Sequence, residues 1–187
     1  MTAAPAVAIS RIHHVAYRCR DAAETVAWYK RVLGMAFTTA FAEDHVPSTG
    51  AHDPYMHVFL DAGGGNVLAF FELPSHPEMG RDLNTPQWVQ HLALEVESLE
   101  ALEAARRHIE GQGIDVIGPT DHGIFQSIYF FDPNGHRLEL TCNTGSSAQL
   151  AELLRVAPLM LEEWSQTKRA PRHAHWLHAR PDAEHAA

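Results

Sequence analysis

The chain has 187 residues, 45% of them apolar, with a formal charge of -9 and a pI near 5.8. That suits one compact domain with a substantial core, and it argues against a nucleic-acid partner, because the 14 Lys and Arg form no basic cluster. No stretch approaches the roughly 20 apolar residues of a membrane span, and the start MTAAPAVAIS lacks the basic region and long apolar run of a leader, which predicts a cytoplasmic protein with a small-molecule ligand and no membrane.

In chain order, residues 11 to 19 alternate as a strand. Asp21 with Glu24 three residues on signals a capped helix carrying Val26, Tyr29, Val32 and Leu33 on one face, and Gly34 stops it. Strands follow at Met35 to Glu43, Tyr55 to Asp61 and Asn66 to Leu73, the last two joined by a turn of three glycines. Between them, residues 44 to 54 read as an irregular loop in which His45 and His52 are solvated. The first half is therefore β-α-β-β-β.

After a Pro-rich stretch the order repeats, with a strand at 88 to 97, a helix capped by Ser98 and ended near Gly111 or Gly113, and strands near 115 to 118, 125 to 131 and 136 to 142. The interval from His14 to His91 sets a period of about 77 residues. The predicted class is α+β: one domain over 1–168, with paired βαβββ modules at about 10–73 and 87–143 forming one curved mixed sheet around a metal site. A C-terminal helix at about 146–166 is predicted to pack through Leu150, Leu153, Leu154, Ala157, Leu161 and Trp164. Residues 169–187, with His173, His175, His178 and His185, read as a flexible His-rich tail.

His14 and His91 each stand near the start of an alternating strand that ends at a helix-capping residue, and Glu139 lies inside a strand that follows a turn. Two imidazoles and a carboxylate so placed are the raw material of a metal site. Cys19 and Cys142 are odd-numbered steps from His14 and Glu139, hence on opposite sheet faces, and are predicted to be buried reduced thiols. His13 points away from His14, and His136, just after a turn, is expected to be solvated. Phe70, Phe71, Phe125, Phe130 and Phe131 supply core and some cavity wall.

These residues resemble the vicinal oxygen chelate superfamily, which includes glyoxalase I, bleomycin-resistance proteins, methylmalonyl-CoA epimerase and type I extradiol dioxygenases. The resemblance spans about residues 10 to 143 and is carried by His14 with Asp21, Trp28-Tyr29, Leu33-Gly34-Met35, His91, Asp132-Pro-Asn-Gly135 and Glu139. It implies His14, His91 and Glu139 as metal ligands. Aligning the two modules on Gly65 and Gly135 sets Ala69 against Glu139, so the position where glyoxalase- and epimerase-like members place a further carboxylate is apolar. A three-ligand site leaves about three open positions on an octahedral ion, which suits a bidentate catecholate and dioxygen together.

The segments Asp121-His122-Gly123 and Ser127-Ile128-Tyr129-Phe130 resemble those before the glutamate ligand of extradiol dioxygenases, which implies His122 as acid-base residue and Tyr129 as substrate-bonding residue. His57, Asn66 and Ala69 are substrate-lining candidates. The leading expectation is an Fe(II)-dependent extradiol-type dioxygenase, with Mn(II) as substitute metal, acting with dioxygen on a small catechol-like aromatic as a homodimer. A glyoxalase- or epimerase-like metal-dependent lyase or isomerase is the alternative, followed by a metal-free protein that sequesters an aromatic drug.

Overall fold

The Asp21 side chain accepts a hydrogen bond from the Glu24 amide at 2.8 Å and opens the first helix, and Gly34, at φ 65°, closes it in a conformation that a Cβ would strain. Such local signals place most elements of the computed structural model, which describes residues 9–80, 82–174 and 176. The chain forms two units by internal contact: the described part of Met1–Thr85 with Asp132–His136, and Pro86–Phe131 with the described part of Arg137–Ala187.

The first unit runs β1 (Val15–Cys19), α1 (Ala22–Leu33), β2 (Ala36–His45), β3 (His52–Asp61) and β4 (Val67–Glu72). Its sheet has the order β1-β4-β3-β2, with β1 parallel to β4 and the other pairs antiparallel. Alternation turns Leu68 and Phe70 to the core with Val58 and Leu60, and the Tyr29 ring of α1 packs at a tilt on Phe70, 5.0 Å between centroids. The irregular loop expected at 44–54 is instead strand at both ends. His45 pairs across the hairpin with His52, and only the turn between them is irregular. Cross-strand pairing of these exposed polar residues overrides their turn-like composition.

The second unit repeats the order as β5 (Leu92–Glu95), α2 (Leu99–Gly111), β6 (Ile117–Asp121), β7 (Phe125–Phe131) and β8 (Arg137–Asn143), with sheet order β5-β8-β7-β6. Ser98 caps α2 through the Ala101 amide. The architecture is α+β, two βαβββ repeats, and the hydrogen-bonded ladders are two four-stranded sheets, one per repeat. Gly118 at φ 110° lets β6 approach β7, since a Cβ there would lie 2.7 Å from the Ser127 carbonyl oxygen.

Helix α3 (Ser147–Thr167) begins at a capping box formed by Ser146 and Gln149. Its expected packing stripe faces outward: Leu154 is 77% and Leu161 70% exposed, while Val156, outside that stripe, is the residue the helix buries. Periodicity identifies the helix but does not choose between two apolar faces. Beyond α3, His173 pairs with Glu163 at 2.8 Å and Ala174 is buried, whereas His175, His178 and His185 lie outside the described residues.

The turn Asp132–Gly135 belongs to the first unit and is tied there by a buried polar network. Asp132 accepts four hydrogen bonds: from the amides of Asn134 and His136 at 2.9 and 2.8 Å, from Asn134 Nδ2 at 3.1 Å, and from the Tyr29 hydroxyl at 3.0 Å. Asn134 adds the Thr25 hydroxyl and the Arg20 amide. His136 is not solvated as expected: its Nε2 meets the Arg18 carbonyl oxygen at 2.7 Å and its ring packs on Tyr17. A turn residue's exposure is set by what the turn docks against, which local sequence does not contain.

Cys19 and Cys142 are both buried free thiols. Burial, aided by the carboxylates of Glu72, Asp21 and Asp132 and opposed by a hydrogen bond with Thr25, pushes Cys19 up to about 11. Since the thiolate is the nucleophile, the folded protein is expected to show no fast-reacting thiol toward a disulfide reagent at about pH 8, and two on unfolding. A fast native thiol would contradict this burial.

Candidate functional site

In the second unit one hydrogen-bonded chain links four side chains. Glu139, in the middle of β8 and only 3% exposed, presents Oε2 to His91 Nε2 at 2.9 Å and accepts at Oε1 from the Tyr129 hydroxyl at 3.2 Å. The Tyr129 proton is thereby committed to Glu139, so the phenolic oxygen accepts from His122 Nε2 at 2.8 Å. Tyr129 is opposite Glu139 across the β7–β8 ladder, which explains why residues ten apart in sequence meet. Burial first, then the Glu139 charge, raises the Tyr129 pKa and keeps the phenol a donor.

His91 precedes β5, where Ala93 pairs with Glu139, so imidazole and carboxylate emerge on one sheet face. Its Nδ1 lies 3.1 Å from the Val89 carbonyl oxygen. A neutral imidazole that donates there turns the Nε2 lone pair toward Glu139 Oε2, and two facing lone pairs require a cation between them. A proton or a divalent metal ion meets that need, and the nitrogen-oxygen donor set suits either Fe(II) or Mn(II). Among the described residues no group of three or more His, Cys, Asp and Glu is placed to hold a metal ion. The structure thus brings together His91, Glu139, Tyr129 and His122.

His14 belongs to the first unit, just before β1. Its Nδ1 meets that of exposed His13 at 2.8 Å, and its ring lies 5.8 Å from Phe59 and 6.1 Å from His57. The two modules match in register: Ala16, two residues after His14, pairs with Ala69, as Ala93, two after His91, pairs with Glu139. Ala69 in turn pairs with Phe59 as Glu139 pairs with Tyr129. The first module therefore carries His-Phe-Ala where the second carries His-Tyr-Glu, and Ala69 is fully buried and apolar.

His57 is 5% exposed, stacked on Phe71 at 3.6 Å between ring centroids, with Phe41 and Phe59 also in ring contact. Its Nε2 is buried without a hydrogen-bond partner, and burial together with the neighbouring His14 pushes its pKa down to about 4. It is a neutral imidazole with a free nitrogen. Asn66 is exposed, its amide closing the turn on the Gly63 carbonyl oxygen at 3.0 Å. Sequence reasoning missed Arg137, whose guanidinium lies 4.1 Å above the Tyr129 ring. The available signal was its place two residues before Glu139, on the same face.

The chain is 28% identical over 139 residues to the Bacillus subtilis (strain 168) protein named "Putative ring-cleaving dioxygenase MhqA"; the match covers 72% of this chain and 41% of that protein, so the chain spans less than half its length. Among solved structures, a glyoxylase/bleomycin resistance protein/dioxygenase domain from Frankia sp. EAN1pec is similar in fold at TM-score 0.58 and 19% identity, covering 73% of this chain and 100% of that one. The fosfomycin resistance protein FosX from Listeria monocytogenes, complexed with Mn(II) and sulfate, is similar at TM-score 0.51 and 20% identity, with 73% and 95% covered. Residues 11–140 match the family described as Glyoxalase/Bleomycin resistance protein/Dioxygenase superfamily, and it is to that superfamily that the chain belongs.

Proposed function

We propose that the chain is a metal-dependent extradiol-type ring-cleaving dioxygenase that acts on a small catechol-like aromatic, with Fe(II) held by His14, His91 and Glu139. The observation that carries this reading is the buried Glu139 facing the Nε2 of His91, combined with Ala69 at the equivalent position of the other module. Two histidines and one carboxylate are then the whole protein ligand set. Ala69 also disfavours the lyase or isomerase alternative, which needs a further ligand. The name of the Bacillus relative points the same way.

A ferrous ion held there would supply the redox chemistry by which dioxygen opens a ring beside its diol. The protein's own groups handle protons and orientation. The Tyr129 hydroxyl holds Oε1 of Glu139 so that Oε2 keeps its direction. His122, donating to the Tyr129 oxygen, forms with it a two-residue relay whose outer end is the exposed imidazole. His57 is kept neutral beside His14 and its Nε2 has no hydrogen-bond partner. Phe41, Phe59 and Phe71 around it offer aromatic area for a flat ligand.

The test is oxygen uptake by anaerobically Fe(II)-loaded protein against a catechol panel, with absorbance followed for a yellow ring-opened product. Uptake with product is expected, and tight metal binding without uptake from any member would overturn the assignment in favour of lyase or isomerase chemistry. In the same assay Tyr129→Phe should keep its iron and lose about ten- to a thousandfold in kcat. Unchanged kinetics would remove Tyr129 from the mechanism.

A further inference from the structure

Arg137 stands beside this centre. It precedes Glu139 by two residues on β8, so the pleat sets both on one face. Tyr129 links the two, donating its hydroxyl to Glu139 while its ring lies under the guanidinium. Arg137 forms no ion pair among the described residues, and its Nε is buried with no acceptor.

A cation in this place is unfavourable by itself. It leaves a charged donor unsatisfied, and it repels any metal ion bound at Glu139. An anionic occupant offsets both costs. The geometry selects the kind of anion: the Tyr129 ring covers one face of the guanidinium and Nε is buried, so hydrogen bonding to a ligand is left to the terminal Nη–H groups. The two Nη–H groups at the end of a guanidinium form a fork that matches the two oxygens of a carboxylate.

We propose that Arg137 is a specificity-determining residue that recognises a carboxylate borne by the substrate, so that the preferred ligands are aromatic acids with adjacent hydroxyls and not plain catechol. The inference rests on the ring-cleavage reading for the diol and adds the acid group. The competing role is structural: Arg137 merely props the Tyr129 ring. A prop weakens every ligand alike, whereas a carboxylate receptor changes the ratio between acid and parent catechol.

The experiment is calorimetric titration of anaerobic Fe(II)-loaded protein with catechol, protocatechuate and pyrocatechuate. Wild type should bind at least one acid about ten- to a hundredfold more tightly than catechol, since a hydrogen bond between charged groups is worth that factor. Arg137→Met should bring the ratio close to one, and Arg137→Lys, which keeps the charge but loses the fork, should fall between. Circular dichroism checks that the variants fold; if Arg137→Met does not, the wild-type ratio and Arg137→Lys decide the matter. Equal wild-type affinity for acids and catechol, or a preference that survives substitution, overturns the proposal. Oxygen uptake on the same ligands is scored separately. An Arg137-dependent preference without uptake keeps this inference and sinks ring cleavage, while uptake without preference does the reverse.

Discussion

Glu139→Ala should lower affinity for Fe(II) by at least about a hundredfold and abolish oxygen uptake while leaving the fold intact. Removing groups that only support a ligand already costs metal sites ten- to a hundredfold, so deleting a ligand itself must cost more. The fold survives because the lost carboxylate leaves a small gap on a sheet face and frees Tyr129 and His91 to reach water. Glu139→Gln sharpens the comparison: it keeps an acceptor for the Tyr129 hydroxyl but carries no charge, and should bind metal nearly as poorly as alanine. Metal content after anaerobic loading and dialysis measures the effect. Full retention of iron by Glu139→Ala would remove Glu139 from the ligand set.

Asp132→Ala should cost about 3–5 kcal/mol of folding stability, the largest loss expected from any single polar substitution in this chain. The carboxylate is 5% exposed and accepts four hydrogen bonds, two of them from backbone amides that no rotamer change can redirect. Alanine leaves those donors buried and unpaired. For a chain of this size the loss corresponds to a Tm lower by about 10 °C or more. Tyr29→Phe deletes one of the four donors and should cost only about 1 kcal/mol. Denaturant unfolding of the two variants checks the ranking, and an Asp132→Ala loss no larger than that of Tyr29→Phe would show that the turn is held by other contacts.

Most of the fold was legible because its signals are local. Asp21, Ser98 and Ser146 each cap a helix by accepting a hydrogen bond three residues on, a relation contained within one turn of chain. The equivalence of His14 and His91, and of Ala69 and Glu139, was also readable, because each histidine opens an alternating strand and Ala69 and Glu139 each stand four residues after a turn glycine. The strand registers reproduce it pair for pair.

What escaped the sequence depends on partners distant along the chain. The exposure of Leu154 and Leu161 against the burial of Val156 follows from which face of α3 meets the unit, and both faces are apolar. His136 and Asp132 read as ordinary turn residues until Tyr29, Thr25, Arg18 and Arg20, more than a hundred positions earlier, supply their hydrogen bonds.

The sequence by itself determined the βαβββ repeat, the candidate ligands and the apolar substitute at Ala69, because periodicity, caps and strand parity are properties of short segments. Only the tertiary structure decided that His57 keeps an unpaired nitrogen among three phenylalanines and that Arg137 lies over Tyr129 with no ion pair among the described residues. Burial and charge compensation depend on every neighbour around a group, and strand pairing assembles those neighbours from segments that no local pattern connects.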